Sequence, residues 1–277
     1  MVLLGVLVAM AAIGQAGSSV PNDGSRLEVV VAARNARLVP IGAKAVAYIP
    51  ATIDAHPPLL VLLHGAGRRW DRMIERLAPE ADQRGLVLLA PISRGLTWDI
   101  VSRAEEPPSV SSPLANRMAL RFSTSEDAQR IEAAIDQLNS LVPIDRARTA
   151  LAGFSDGATF ALAMGMSRSH PFSAIIAWSP GIAISTAAPA AGRKVYVSHG
   201  REDPVLSFST DCAQIVPLLQ SERALVTFQP FHGGHEIPQS VTGAFLDAVF
   251  GPLPGERPHP LAKKAETCIA TPADMRG

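Results

Sequence analysis

One pentapeptide, Gly153-Phe154-Ser155-Asp156-Gly157, restricts the fold more than any other stretch of the chain. Thr149 to Ala152 before it is a short apolar run, read as a buried strand. Gly157 to Gly165 after it is rich in Ala and other helix formers. A serine with glycine two residues to either side, between a strand and a helix, is the pattern of a strand–turn–helix elbow. Such a turn strains the serine backbone, and the glycines let neighbouring backbone pass close. The hydroxyl then stands above the sheet at the positive end of the helix. A glycine-flanked turn with a capping serine would give the same letters, so residues elsewhere in the chain must decide.

The size and charge of the chain narrow the classes. With 277 residues it can enclose one large core. Apolar residues make up 47%, and 25 Lys+Arg balance 25 Asp+Glu, a globular composition. Zero net charge without a basic run argues against nucleic acid and against an electrostatic membrane anchor. Val2 to Ile13 is almost wholly apolar and is followed by Gly14-Gln15-Ala16, a small-x-small site. The run is shorter than the ~20 residues a membrane span needs. Residues 1–16 are therefore read as a cleaved export signal, although no Lys or Arg precedes the apolar run. The protein is expected outside the cytoplasm with no stable membrane anchor after removal of the signal; an apolar N-terminal anchor or a disordered leader is the alternative. Residues 17–25 read as a linker, 26–251 as the domain and 252–277 as a tail. Cys212 and Cys268 could form a disulfide in an exported protein, whereas Cys212 on a helix face could equally be a buried thiol.

Strand and helix signals alternate along the body. Leu27–Ala33 and Ala43–Ile49 flank Pro40-Ile41-Gly42 and read as an antiparallel edge pair. Leu59–Leu63 is five apolar residues in a row, the pattern of a strand covered on both faces. Trp70, Met73, Ile74 and Leu77 have helical spacing, and Gly85 is placed to end that helix. Leu86–Pro91, Ala174–Trp178, Lys194–Ser198 and Leu225–Phe228 read as further strands. Ser93–Arg121 is long, irregular and a candidate lid. Ser123 and Glu126 make a capping box before the helix marked by Ile131, Ile135, Leu138 and Val142. Phe208, Cys212, Ile215 and Leu219 mark another helix face, and Ile237–Phe250 the closing helix. The expected fold is α/β, a mostly parallel central sheet of about eight strands with helices on both faces.

In such a sheet, function collects at the carboxyl ends of strands. Four loops there hold reactive residues, at His64, Ser155, Asp203 and His235. Serine, acid, histidine is the chain order of an α/β-hydrolase triad. A serine hydroxyl needs an imidazole to take its proton, and the imidazole needs an acceptor to fix its tautomer. His235 in Gly233-Gly234-His235-Glu236 is the candidate base, with His232 the competitor. Asp203 is the candidate acid, with Glu202 the competitor and a helix-capping Asp the plain alternative. The backbone N–H groups of Ala66 and Asp156 are the candidate oxyanion donors. Trp98 is a candidate wall of an acyl pocket, or else packs under its loop. No cofactor or metal is expected. Trp70 stands where a dinucleotide loop would have its third glycine, and His235 lacks a second histidine one turn later.

With these pieces the chain resembles the predicted esterases of the α/β-hydrolase superfamily, near the phospholipase/carboxylesterase and polyhydroxybutyrate-depolymerase-like groups. The matching segments are Leu60–Gly65, Ala152–Ala158, Val197–Gly200 with Asp203 and Val205, and Gly233–His235 with Pro238. The resemblance implies a serine hydrolase acting on small or medium-chain carboxylic esters, with Ser155, Asp203 and His235 as the triad and Ala66 and Asp156 at the oxyanion. The sequence departs from the family at Asp156, where many carboxylesterases have Gln, and at Arg68-Arg69. A thioesterase or serine peptidase on the same fold remains open, as does a non-catalytic binding protein.

Overall fold

The computed structural model describes residues 30–31, 36–104, 125–167, 172–182 and 191–261. The leader at 1–16, the linker at 17–25, residues 105–124 of the long loop and Cys268 lie outside the described residues.

Among the described residues, nine strands form one sheet in the order β1-β2-β3-β5-β4-β6-β7-β8-β9. They are β1 Val30–Val31, β2 Arg37–Ile41, β3 Ala45–Ile49, β4 Leu59–Leu63, β5 Val87–Pro91, β6 Thr149–Phe154, β7 Ala174–Trp178, β8 Lys194–Ser198 and β9 Leu225–Phe228. From β5 to β9 neighbouring strands are parallel, and β1, β2 and β3 continue the sheet antiparallel.

The unbroken apolar strands alternate between two cores. Leu59, Val61 and Leu63 of β4 enter one, and Leu60 and Leu62 enter the other. Side chains of a strand point to opposite faces in turn, so a strand covered on both sides must be apolar throughout. Each of these leucines and valines is fully buried, worth roughly 1.5–3 kcal/mol apiece relative to exposure. The first face is covered by α3 (Glu126–Leu141) and α4 (Asp156–Met166), and by α5, in which Phe208–Thr210, Asp211–Ile215 and Val216–Ser221 run on as one helical segment. The second face is covered by α1 (Trp70–Arg84) and α6 (Gln239–Phe250). α2 (Asp99–Ala104) lies in the long connection.

Several local readings hold at the residue level. α1 ends on Gly85 at φ 59°, whose N–H donates to the Ala81 carbonyl. α3 buries Ile131, Ile135 and Leu138 as their spacing requires. Three readings change. The partner of β3 is Arg37–Ile41, and Val30–Val31, the described residues of Leu27–Ala33, pair with β2 as an outer strand. The tight turn at Gly42 (φ 55°) pairs the nearest residues, and Pro40 lies beyond the two residues of β2 that β1 engages. The cap of α3 is Ser125, whose hydroxyl accepts from Ala128 N–H, and Ser123 lies outside the described residues. The connection after β5 contains six-residue α2, too short to show a period.

No described helix is long and apolar enough to cross a membrane. The described part of the tail is fastened to α6. Asp247 accepts from both the backbone N–H and Nδ1 of His259, each at 2.7 Å, and also from Arg84 at 2.7 Å.

Candidate active site

Chain direction across the sheet reverses at β4: the connection from β4 leads to β5 on one side, and β6 returns on the other. Strands β4 and β6 pair with Leu63 opposite Gly153. Their outgoing loops therefore diverge from adjacent points, leaving the crevice where open α/β sheets bind ligands.

Ser155 follows β6 directly and has φ 56° and ψ −122°. For a residue with a Cβ this is a strained conformation, held by its surroundings. Its N–H donates to the Trp178 carbonyl at 2.9 Å. The glycines on either side are steric requirements. A Cβ on Gly153 would lie 2.1 Å from the Gly157 carbonyl oxygen, and one on Gly157 would lie 2.2 Å from that of Leu63. Ser155 opens α4 without making a side-chain cap bond, so the capping alternative does not consume its hydroxyl. The residue is 8% exposed.

The His64 loop lies against this elbow. A Cβ on Gly65 would approach the Ser155 Cβ to 3.2 Å. His64 is enclosed and held by both ring nitrogens. Its Nε2 accepts from Ser93 N–H at 3.1 Å, which leaves Nδ1–H to donate to the Gly65 carbonyl at 2.7 Å. Burial, opposed by the Gly65 carbonyl, lowers its pKa to about 4. The ring is thus a neutral brace that shapes the turn preceding Ala66.

Trp98 completes that brace. Its indole stacks on His64 with centroids 4.7 Å apart, meets Phe160 at 5.1 Å, and donates to the His64 carbonyl at 2.8 Å. At 1% exposure it belongs to the core rather than to an acyl-pocket wall, because its faces are already occupied by rings. Next to it, Thr97 Oγ1 donates to Asp156 Oδ2 at 2.6 Å. That bond draws the Asp156 carboxylate onto the loop after β5, while its backbone N–H stays at the first turn of α4.

The remaining two loops are joined edge to edge. Arg201 N–H donates to Phe231 O, and Glu202 N–H to Gly233 O. A Cβ on Gly200 would come within 2.3 Å of the carbonyl oxygens of Gly233 and Gly234. This close approach brings His235 to Asp203, with Nδ1 and Oδ2 2.7 Å apart. The other oxygen, Oδ1, accepts from the N–H groups of Val205 at 2.8 Å and Leu206 at 2.9 Å. The carboxylate side chain is fully enclosed. Burial raises its pKa, but the N–H donors and His235 outweigh that and hold it below the usual carboxylate range.

The competitors lie elsewhere. His232 is 89% exposed and faces Glu202 at 3.3 Å. Glu202 also accepts from Gly233 N–H. The ring of His235, by contrast, is 15% exposed and packs on Phe154, the residue before Ser155, with centroids 4.7 Å apart. Two side chains of this region were not assigned a role from sequence: His199, at the end of β8, and Asp211, in α5. Both are fully enclosed behind Asp203. His199-Gly200 is visible as a motif, but nothing linear connects it to Asp211.

With this geometry in place, residues 114–247 match the family model described as Phospholipase/Carboxylesterase. Among solved structures, esterase PE8 is 24% identical with TM-score 0.50, over 73% of this chain and 96% of that one. An acetyl xylan esterase from Aspergillus awamori is 16% identical with TM-score 0.52, over 82% of this chain and 99% of that one. A thermostable esterase is 18% identical with TM-score 0.54, over 84% of this chain and 57% of that one. At these identities the likeness is one of fold. No curated protein matches the chain in sequence.

Proposed function

We propose, from the match of residues 114–247 to the Phospholipase/Carboxylesterase family model, that the chain is a soluble α/β-hydrolase esterase for small or medium-chain carboxylic esters, with Ser155 as nucleophile, His235 as base and Asp203 as acid. The observation that carries the reading is the 2.7 Å contact between His235 Nδ1 and Asp203 Oδ2, on a loop packed beside the strained Ser155 elbow. A carboxylate only accepts, so the imidazole proton sits on Nδ1 and Nε2 is the basic nitrogen.

In this mechanism His235 takes the Ser155 proton as Oγ attacks the ester carbonyl. The tetrahedral oxygen accepts from the backbone N–H groups of Ala66 and Asp156. His235 then gives its proton to the departing alkoxide, and water repeats the sequence on the acyl-enzyme. The Thr97 contact supports this assignment of Asp156, since it occupies the carboxylate that would otherwise oppose the oxyanion. The export reading of residues 1–16 is part of the proposal, and N-terminal sequencing of the mature protein tests it, with a start near Gly17 expected.

A fluorophosphonate probe tests the chemistry. Labelling of Ser155 alone, lost in Ser155→Ala, is expected; labelling of another serine removes the assignment. An ester panel of graded acyl length, with a thioester and a peptide amide alongside, tests the substrate class. Turnover that is greater on emulsified long-chain triglyceride than on short soluble esters would overturn the esterase reading.

A further inference from the structure

Behind Asp203 lies a second buried imidazole. His199 Nε2 is 3.1 Å from Asp203 Oδ2, the same oxygen that faces His235. On its other side, His199 Nδ1 is 3.0 Å from Asp211 Oδ2. All three side chains are fully enclosed. We propose that His199 and Asp211 are positioning residues for the Asp203 carboxylate, His199 as the ring packed 3.1 Å from its Oδ2 and Asp211 as the anchor of that ring. The inference rests on the assignment of Asp203 as the acid.

Proton counting supports it. Nε2 of His199 faces only acceptors, Asp203 Oδ2 and, at 3.0 Å, the Leu206 carbonyl. It must therefore carry a hydrogen. Asp203 accepts from Val205 N–H, Leu206 N–H and His235 Nδ1–H, and His199 Nε2, hydrogen-bonded to the Leu206 carbonyl, lies 3.1 Å from Oδ2. Asp211 has a different situation. Among the described residues neither Asp211 oxygen nor His199 Nδ1 has a hydrogen-bond partner, and the 3.0 Å approach of Nδ1 to Oδ2 sets these buried polar atoms against each other. A single proton between Nδ1 and Asp211 makes the pair neutral overall, as either imidazolium with carboxylate or imidazole with carboxylic acid. Burial pushes the Asp211 carboxyl up to about 6, against the pull of His199. Burial also disfavours the charged His199 ring, but Asp211, the Leu206 carbonyl and Asp203 together hold its pKa above the usual value.

The backbone makes special provision for Asp211. α5 widens into a π-turn over Asp211–Ile215, with Val216 N–H donating to the Asp211 carbonyl. Pro217 just after it cannot donate to the preceding turn, a cause of such widening. The flanking ring of Phe208 meets His199 edge-on at 6.1 Å, and Arg201 lies over the Phe208 ring, 5.0 Å from its centroid. The charged and titratable groups around His199 are thus Asp203, Asp211 and, beyond these, His235 and Arg201.

Replacing the pair by apolar residues separates positioning from folding, since a buried ion pair can often be exchanged for apolar side chains without loss of stability. In His199→Leu/Asp211→Leu, Asp203 loses the imidazole that lies 3.1 Å from its Oδ2. The expected result is a kcat about 10- to 100-fold lower with KM unchanged. The ascending limb of the pH–rate profile should also move to higher pH, because a less neutralised Asp203 favours the protonated form of His235. His199→Gln/Asp211→Leu restores an N–H near the Nε2 position and should recover most of kcat. In an Asp203→Asn background, the leucine pair should change kcat by less than about 3-fold. As a second measure should the leucine pair fold poorly, Asp211→Asn preserves shape, and the far-downfield His235 Nδ1 proton resonance should shift. Equal losses in the leucine and glutamine pairs, an undiminished effect in the Asp203→Asn background, or an unmoved resonance would overturn the proposal. A severe Asp203→Asn with a silent leucine pair rejects only the role of the pair, whereas a mild Asp203→Asn rejects the acid itself.

Discussion

Asp203 divides its carboxylate between two tasks: Oδ1 holds the turn through Val205 and Leu206, and Oδ2 holds His235 at 2.7 Å. The turn contacts and the His235 contact, which look like alternatives in the sequence, are met by different oxygens of one group. Asp203→Asn should therefore keep much of the turn, through its remaining oxygen, while presenting the wrong partner to Nδ1. Turnover should fall by up to about 10⁴-fold. Glu202→Gln, at an exposed residue paired with His232, should change kcat little. Steady-state kinetics on a soluble ester distinguishes the two.

The choice of base follows the same geometry. His235→Ala should remove nearly all turnover and the ascending limb of the pH profile, because the neutral imidazole is the form that accepts the Ser155 proton. His232→Ala should leave both. A profile lost with His232 and retained with His235 would reverse the assignment.

The elbow glycines allow a prediction about stability. At Gly153 and Gly157 the obstacles to a Cβ are backbone atoms at 2.1 and 2.2 Å, which cannot rotate away as a side chain could. Gly153→Ala and Gly157→Ala should each destabilise by about 2–4 kcal/mol. Urea unfolding measures the loss. Gly67→Ala should instead meet no atom within 4 Å, its cost coming only from φ 84°, about 1 kcal/mol.

His64 should make the protein acid-sensitive. Its pKa in the fold is about 4, below the ~6.5 of an unfolded chain. Between those values the unfolded chain binds more protons, so stability rises with pH there. The contribution is present above about pH 6.5 and lost as pH falls toward 4, roughly 3 kcal/mol in all. The difference in unfolding free energy between wild type and His64→Gln, measured from pH 7 to pH 4.5, should narrow as the pH falls. A difference that does not change with pH would mean that His64 is not buried neutral.

The sequence by itself determined the strands of the parallel sheet, because a strand covered on both faces must be apolar at every position, and Leu59–Leu63 and Ala174–Trp178 satisfy that rule without help from context. It also determined α1 and its glycine stop, and the elbow at Ser155, since these depend on residues within one turn of each other. The register of the first hairpin and the cap at Ser125 were decided locally too, but by signals as short as a single turn, which neighbouring residues imitate. The choices between His235 and His232, and between Asp203 and Glu202, had no answer in the linear order. Each pair of rivals stands within three residues, and only the docking of the Gly200 loop on Gly233 and Gly234 points one member inward and the other to solvent. Trp98 went into the core for a similar reason: its partners, His64 and Phe160, lie 34 and 62 positions away. The tertiary structure alone joined His199 to Asp211, because burial leaves each polar group to find its partner in space, whatever the separation along the chain.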